Sequence, residues 1–239
     1  MNRAADAVTR DAGLLPTGDE KPRVVEAMFD RIAPRYDALN RVLTFRMDVG
    51  WRRTAVATLN LARDDRVLDL ACGTGDLCRT LTDAGARPVG VDFSAGMLHA
   101  ARTDAPLVRG DAVRLPFADA TFAALTCGFA LRNFAALAPV FRESARVLRP
   151  GARVALLDVA EPENPVTRSV HGAWFRHVVP FVGGLVSDRA AYRYLPASTA
   201  YLPGTPELLD LLVSNDFVDV SRRTLAFGAA QLITGARSR

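Results

Sequence analysis

Short apolar runs alternate with amphipathic stretches through the middle of the chain. Five of the apolar runs are predicted to be β-strands: residues 66–71, 88–92, 107–108, 122–127 and 153–159. The stretches between them repeat their apolar positions with a helical period and are predicted to be helices: residues 76–84, 95–102 and 137–148. Strands that alternate with helices predict a parallel sheet with right-handed crossovers.

The flanks of this segment add elements of the same kinds. Before it, one amphipathic helix begins at Val24 and a second spans residues 48–61. After it, a helix at 206–214 precedes two closing strands at 217–221 and 230–235. The expected fold is therefore α/β: a doubly wound, Rossmann-like and mostly parallel seven-stranded sheet with N-terminal helices.

Two segments depart from this alternation. Residues 1–22 are polar and interrupted by Gly and Pro, which predicts a flexible tail before a single domain at 23–239. Residues 162–205 hold five prolines and few periodic positions. An insertion after strand five lies at the edge of the sheet where ligands bind in open α/β folds, so we expect a substrate lid there. A purely structural excursion is the alternative.

The composition disfavours several classes of protein. The net charge is +4, but 29 of the 30 basic residues are scattered arginines rather than a phosphate-binding track, so no nucleic-acid partner is expected. Three cysteines and three histidines are too few for a disulfide framework or a metal site, and no metal is expected. Since we find no apolar run of membrane-spanning length and no signal-peptide core, we expect a cytoplasmic protein.

The candidate chemistry begins between the first two strands. Strand one runs into a glycine turn, Gly73, Thr74 and Gly75, and strand two ends in Asp92. Glycines in such a turn let the backbone approach a nucleoside cofactor, and the acid accepts hydrogen bonds from its ribose hydroxyls. The sequence therefore predicts a nucleoside-cofactor site.

Two acids and one missing glycine distinguish between cofactors at this turn. A dinucleotide site needs a third glycine, which is Cys78 here, and Asp76 stands at the helix start where a diphosphate would sit. Together with Asp69, this carboxylate disfavours a diphosphate and suits a ligand with a positive ammonium or sulfonium group. We therefore favour S-adenosylmethionine over NAD.

Further candidates follow strands two to four. Asp111 and Ala112 come after the third strand, where an acid can accept a hydrogen bond from an adenine amino group; a turn-forming role is the alternative. Phe93, next to Asp92, and Gly128, at the end of strand four, complete the candidate cofactor-binding set.

On these motifs, residues 65–158 resemble the class I S-adenosylmethionine-dependent methyltransferases. The resemblance implies Thr74 and Gly75 at the methionine moiety, Asp92 at the ribose, and Asp111 with Ala112 at the adenine.

The flanks resemble one family among these enzymes, the ubiquinone/menaquinone-biosynthesis C-methyltransferases. The similarity covers residues 24–237 and is carried by residues 28–40 (MFDRIAPRYDALN), 128–134 (GFALRNF), 146–151 (RVLRPG) and two segments within 185–198. The sequence departs from the family pattern at Thr44, at Asp48 and at residues 158–160 (DVA), and the last of these borders the expected acceptor site.

This resemblance implies methylation of a ring carbon beside a hydroxyl group in a prenylated hydroquinone. Asp48 and the arginine- and alanine-rich composition favour a menaquinone precursor, a prenylated naphthoquinol, over a ubiquinone precursor. Residues 158–160 favour the first alternative, a methyltransferase acting on another small aromatic or secondary metabolite. The alternatives from other classes are an NAD-dependent oxidoreductase and a non-catalytic lipid- or quinone-binding protein.

Four residues are candidates for catalysis. Arg132 and Asn133 follow strand four at the sheet edge, beside the expected methyl group, and we expect Arg132 to stabilise a hydroquinone anion or to orient a water. Tyr36 and Asp37 lie on the N-terminal segment expected to fold over the pocket, where Asp37 is a candidate proton acceptor. The alternative bases are His171 and His177.

A prenylated acceptor also needs an apolar channel. Trp174, Phe175 and the apolar positions of 178–186 are expected to line it, or to rest on a membrane surface near Arg168, Arg176 and Arg189. Simple closure of the core is the alternative. We expect reversible peripheral membrane contact without an integral anchor, and we include a homodimer among the expected assemblies.

Overall fold

The structure is a computed structural model. It describes Pro16, Gly18, residues 20–162, residues 164–174, Tyr194 and residues 197–239.

Seven strands form one sheet. They are β1 (Arg66–Leu70), β2 (Arg87–Asp92), β3 (Leu107–Arg109), β4 (Phe122–Gly128), β5 (Leu148–Val159), β6 (Phe217–Leu225) and β7 (Ala230–Arg237). Their order across the sheet is β3-β2-β1-β4-β5-β7-β6. Strands β1 to β5 pair in parallel, and β7 is antiparallel to both β5 and β6. The prediction of a doubly wound, mostly parallel seven-stranded sheet is confirmed.

Helices connect and flank these strands. The α-helices are α1 (Glu20–Ile32), α2 (Tyr36–Leu43), α3 (Met47–Ala57), α4 (Asp76–Asp83), α5 (Ala95–His99), α6 (Leu137–Val147), α7 (Pro165–Ala173) and α8 (Thr205–Val213). Short 3-10 helices lie at Ala33–Arg35, Leu131–Asn133, Ser198–Tyr201 and Ala226–Gly228.

Strand β1 is buried by apolar packing on both faces of the sheet. Leu68 and Leu70 join one core cluster, and Val67 joins the other, as the two-residue period of a strand requires. Helices α1 and α2 pack in a smaller cluster of Met28, Ile32 and Leu39, whereas α3 packs against the sheet through Ala55 and Val56. Helices α1 and α2 therefore have apolar packing of their own beside the sheet.

The strand order fixes the position of the site. Because β1 lies between β2 and β4, the connections leave β1 towards one side of the sheet and return to its other side. Such a reversal opens a crevice at the carboxyl ends of the two central strands, here β1 and β4. The glycine turn follows β1 directly, so it lies in this crevice.

Several element boundaries differ from the predicted ones. Helix α1 begins at Glu20, so residues 20–22 belong to the domain rather than to the predicted tail. Lys21 is buried there, which explains why this polar stretch is ordered. Strand β5 begins at Leu148 instead of residue 153, because Leu148 already pairs with Phe122 before a register shift. Helix α5 ends at His99, short of the predicted residue 102.

Part of the chain singled out by sequence lies outside the described residues. This holds for most of the predicted tail, at 1–15, and for the central part of the predicted lid, at 175–193, including Phe175, Arg176, His177 and Arg189. The substrate lid at 162–205 therefore stays a prediction. Within the described ranges, no helix is both long enough and apolar enough to cross a membrane.

Candidate active site

The glycine turn adopts a backbone conformation that explains its composition. Gly73 and Gly75 have φ values of 54° and 83°, in the left-handed region that favours glycine. A Cβ atom on Gly75 would come within 2.6 Å of the Thr103 side chain. Gly75 also caps the start of α4, so the turn presents its backbone at the mouth of the crevice.

Asp92 joins the end of β2 to this turn. Its Oδ2 accepts a hydrogen bond from the Gly73 amide at 2.7 Å, and its Oδ1 accepts one from the Ser94 amide at 2.8 Å. Burial raises the pKa of the Asp92 carboxyl, although these amides oppose the shift. The acid is thus fixed at the sheet edge, in the lining of a cavity.

This first cavity has a volume of about 250 Å³ and lies over the carboxyl ends of β1, β2 and β4. Helix α1 forms another wall through Pro22, Val25 and Phe29. Of the nine residues predicted to bind a cofactor, all except Gly75 line it: Asp69, Gly73, Thr74, Asp92, Phe93, Asp111, Ala112 and Gly128. Gly75 lies behind the turn against Thr103.

Asp111 and Ala112 form one end of this cavity. The Asp111 side chain is exposed and accepts a hydrogen bond from the Val113 amide at 3.1 Å, whereas Ala112 is buried. The turn-forming role and the lining role therefore occur together. One oxygen of Asp111 braces the turn, and the carboxylate remains at the cavity wall.

Asp69 is completely buried on β1. Its Oδ1 accepts a hydrogen bond from Thr126 at 2.8 Å, and its Oδ2 lies 3.3 Å from the Cys78 Sγ. Burial raises the pKa of the Asp69 carboxyl from 3.8 to about 7, because few groups compensate its charge. Cys78, which replaces the third glycine of a dinucleotide site, thus contributes a thiol donor to this acid.

Asp76 is surrounded by arginines. Its carboxylate accepts hydrogen bonds from Arg79 and from Arg41, the latter at 2.8 Å, and its Oδ2 lies 3.1 Å from the guanidinium of Arg52. The prediction that Asp76 makes the turn hostile to a diphosphate is therefore wrong. Three positive charges compensate this carboxylate, and two of them come from helices α2 and α3, which are distant in sequence.

Asp48 extends this charge cluster. It is buried and accepts hydrogen bonds from Arg41, from Arg52 and from Thr44, the last at 2.7 Å. Burial alone would raise the pKa of Asp48, but the Thr44 hydroxyl and the two guanidinium groups outweigh it and lower the pKa. The cluster therefore ties α2 and α3 to the start of α4.

Thr74 connects α2 to the glycine turn. Its hydroxyl donates a hydrogen bond to Asp37 Oδ1, and Asp37 Oδ2 lies 3.9 Å from Arg79. Asp37 lines neither of the cavities described for this site. The geometry does not support the predicted role of Asp37 as a proton acceptor for the substrate; the residue instead braces the turn.

A second cavity of about 450 Å³ adjoins the first. The two cavities share three lining residues, Tyr36, Arg52 and Phe129. The guanidinium of Arg52 lies 5.3 Å from the centre of the Phe129 ring. Most of the remaining lining of the second cavity is apolar: Leu43, Phe45, Met47, Trp51, Val159, Pro162, Val166, Trp174, Ala226, Phe227 and Ala229.

Arg132 lines the second cavity with its guanidinium engaged by the protein. It donates hydrogen bonds to the buried Asp158, to the Phe129 carbonyl at 2.9 Å and to the Ser198 hydroxyl at 3.1 Å. Asp158 balances the positive charge of Arg132, so this charge is already compensated within the protein. The sequence did not predict this pairing.

We call the place where the two cavities meet, at Tyr36, Arg52 and Phe129, the junction. The other predicted catalytic residues lie at it or beside it. Asn133 lines the first cavity and accepts a hydrogen bond from Tyr194 at 3.3 Å. Tyr36 lines both cavities, and burial raises the pKa of its phenol. The side chain of His171 and all of His177 lie outside the described residues.

Sequence reasoning missed Arg52 as a residue of the site. Its side chain is 6% exposed, bonds both acids of the charge cluster and lines both cavities. A signal was present, because Asp48 and Arg52 are four residues apart on a predicted helix and so lie on one face. The contact of Arg52 with Asp76 had no such signal.

Similar proteins in other organisms cover almost the whole chain. A demethylmenaquinone methyltransferase of Roseiflexus sp. is 41% identical over 232 residues, which cover 94% of this chain and 98% of that protein. The demethylmenaquinone methyltransferase of Deinococcus radiodurans is 41% identical over 92% of this chain and 96% of that protein. A ubiquinone/menaquinone biosynthesis C-methyltransferase of Syntrophotalea carbinolica is 40% identical over 93% and 96%.

Solved structures share the fold at low identity. A SAM-dependent methyltransferase of Thermotoga maritima superimposes with a TM-score of 0.63 at 18% identity, covering 89% of this chain and 99% of that one. Phosphoethanolamine N-methyltransferase 2 of Haemonchus contortus, in complex with S-adenosyl-L-methionine, gives 0.59 at 12% identity over 79% and 52%. The family model of the ubiE/COQ5 methyltransferases matches residues 17–237, and the chain belongs to this family.

Proposed function

We propose that this protein transfers a methyl group from S-adenosylmethionine to a ring carbon of a prenylated hydroquinone, converting demethylmenaquinol to menaquinol. The observation that carries the proposal is the pair of adjoining cavities that share Tyr36, Arg52 and Phe129. The first is built at the glycine turn and the second is mostly apolar. Relatives 41% identical are named for demethylmenaquinone methylation, which supports this choice of acceptor.

The residues of the first cavity fit the cofactor. Asp92 suits ribose hydroxyls, and Asp111 with Ala112 suits the adenine. Asp69 is the acid that suits the ammonium group of the methionine moiety, because its buried carboxyl is bonded to the Thr126 hydroxyl and the Cys78 thiol rather than to a cation. When bound, the cofactor supplies an electrophilic methyl group on a positively charged sulfur.

The residues at the junction position the acceptor. The Tyr36 phenol keeps its proton at neutral pH, since the ordinary pKa of tyrosine is about 10 and burial raises it further, so Tyr36 acts as a hydrogen-bond donor to an acceptor oxygen rather than as a base. Arg132, held by Asp158, can orient the acceptor hydroxyl or a water that takes its proton. Holding the two reactants in line lowers the barrier by roughly 7–11 kcal/mol in favourable cases.

The apolar second cavity contributes by excluding water. Trp51, Trp174 and Phe129 surround the position proposed for the quinol ring, and the prenyl chain continues among apolar side chains. A methyl transfer between an anionic carbon nucleophile and a cationic donor gains from a site that replaces bulk water with fixed groups. The proposal includes transient membrane contact, as the lipophilic acceptor requires, and self-association into a homodimer, which sedimentation would test.

The cofactor and the reaction are tested together on the full chain. Calorimetric titration is expected to show binding of S-adenosylhomocysteine and no binding of NADH, and mass spectrometry is expected to show a methyl group added to a short-chain demethylmenaquinol. Binding of NADH alone would overturn the proposal in favour of an oxidoreductase. In a deletion strain we expect demethylated quinone to accumulate; an unchanged quinone pool would instead favour another aromatic metabolite as the acceptor.

The junction is tested by Tyr36→Phe. Loss of this hydroxyl is expected to lower kcat/KM for the acceptor about tenfold, the size of one hydrogen bond, and to leave the affinity for S-adenosylhomocysteine unchanged. Tyr201→Phe is the matched control, since that phenol bonds the Pro16 carbonyl and lines neither cavity. Equal turnover of the two variants would remove Tyr36 from the proposed mechanism.

A further inference from the structure

Four apolar side chains at the second cavity are exposed to solvent. They are Phe45 at 66%, Met47 at 43%, Val166 at 72% and Phe227 at 90% exposure, and all four also line the cavity. We call this set the apolar rim. Single exposed apolar side chains are common on folded proteins, but large exposed apolar patches are rare. A patch that surrounds the opening of a cavity marks a binding surface.

The two aromatic residues of the rim stand on unusual backbone. Phe45 and Phe227 have φ values of 51° and 56°, in the left-handed region that large side chains rarely adopt. Phe45 lies in the turn between α2 and α3, and Phe227 lies in the 3-10 helix Ala226–Gly228 between β6 and β7. Two separate connections therefore present a phenyl ring at the same opening despite a backbone cost.

The charged residues beside the rim are mostly positive. Arg46 is exposed between Phe45 and Met47, and Arg168 is 50% exposed two residues after Val166. The neighbouring acids are Asp48, which is buried under Arg41 and Arg52, and Glu161, whose carboxylate lies 3.6 Å from Arg168. Exposed aromatic groups bordered by arginine suit the interface of an anionic bilayer.

We infer that the apolar rim docks on the surface of an anionic lipid bilayer, so that the second cavity opens directly towards the acyl chains. This inference rests on the proposed function, because a prenylated acceptor dissolved in the bilayer needs a route that keeps its chain out of water. The rim provides that route. Its phenyl rings enter the interface while Arg46 remains among the phosphate groups.

Vesicle sedimentation tests the inference on the full chain without acceptor. The parent protein is expected to bind vesicles that contain phosphatidylglycerol and to bind pure phosphatidylcholine vesicles more weakly. The double variant Phe45→Ser/Phe227→Ser is expected to bind about tenfold more weakly, through lost apolar burial. Val213→Ser is the matched control, because Val213 is 58% exposed on α8 and lines neither cavity.

Two further measurements separate the outcomes. Thermal melting checks that the double variant folds. If the double variant does not fold, Arg46→Gln is tested in its place and is expected to weaken binding only to the anionic vesicles. Vesicle binding equal to that of the parent, or no vesicle binding by the parent, overturns the inference. A change of sedimentation mass in the double variant without a change in vesicle binding overturns it in favour of a self-association surface. Methyl transfer to a detergent-dispersed short-chain acceptor, measured on the parent, tests the proposed function separately.

Discussion

Two acids close to the glycine turn in sequence, Asp69 and Asp76, contact very different side chains in the folded protein. Asp69 and Asp76 both flank the turn, yet Asp76 meets three arginines whereas Asp69 meets a hydroxyl and a thiol. The first carboxylate is compensated, and the second has a pKa raised to about 7 by burial. Of these two acids, the charge of Asp76 is therefore the one that arginines compensate.

The raised pKa of Asp69 makes stability depend on pH. Between about pH 4 and pH 7 the Asp69 carboxyl holds a proton in the folded protein that it has lost in the unfolded chain, so this group lowers the free energy of unfolding as the pH rises through the window. We expect Asp69→Asn to remove this decrease, as measured by urea unfolding at a series of pH values. Asp83→Asn, at an exposed position of α4, is the control and should keep the decrease. Parallel pH curves for the parent and Asp69→Asn would contradict the assignment.

At the scale of elements, a close contact between helices α1 and α5 positions one wall of the first cavity. Asp30 of α1 accepts hydrogen bonds from the Ser94 hydroxyl at 2.5 Å and from the Gly96 amide at 2.8 Å, both at the start of α5. The approach is possible because Gly96 has no side chain: a Cβ there would lie 2.7 Å from the Asp30 Cα. Helix α1, which forms one wall of the cavity, is therefore positioned by a glycine of another element.

Gly96→Ala is expected to push α1 away from α5. The overpacking should lower the free energy of unfolding by about 1–3 kcal/mol and weaken the binding of S-adenosylhomocysteine several-fold, because the wall of the cavity shifts. Urea unfolding and calorimetric titration measure the two effects. Gly50→Ala provides the comparison, since Gly50 lies in α3 and a Cβ there would have no neighbouring atom within 4 Å, and it should stabilise the protein by about 0.5–1 kcal/mol. Unchanged ligand affinity in Gly96→Ala would show that this contact does not set the cavity.

At the scale of the whole molecule, the site combines a rigid part with a part assembled from separate elements. The sheet edge contributes the glycine turn and Asp92, which follow strands β1 and β2 of the main core. Helices α1 and α2 line the cavities but pack in a smaller core cluster, and Arg41 of α2 joins the charge cluster around Asp48 and Asp76. Less buried apolar surface holds these helices, so they are expected to open more readily than the sheet.

Hydrogen exchange is expected to show this division. Without ligand, amides of α1 and α2 should exchange faster than those of β1 and β4, and saturating S-adenosylhomocysteine should slow exchange in α1 and α2. Strands β6 and β7 contribute no residue to the first cavity, where the ligand is expected to bind, and serve as the internal control. At a ligand concentration of 100 times Kd, mass action should also raise the free energy of unfolding by about 2.7 kcal/mol. Uniform protection across the chain would contradict local closure by the N-terminal helices.

The sequence by itself determined the sheet, the glycine turn and the acids at the strand ends. These features are local: the two-residue and 3.6-residue periods define the elements, and a parallel sheet necessarily brings the carboxyl ends of its central strands together. Only the tertiary structure decided that Arg41 and Arg52 compensate Asp76, that Arg132 pairs with Asp158, and that an apolar cavity adjoins the first. Those contacts depend on how helices far apart in the chain pack against one another, and no local pattern encodes the distances between side chains that meet in this way.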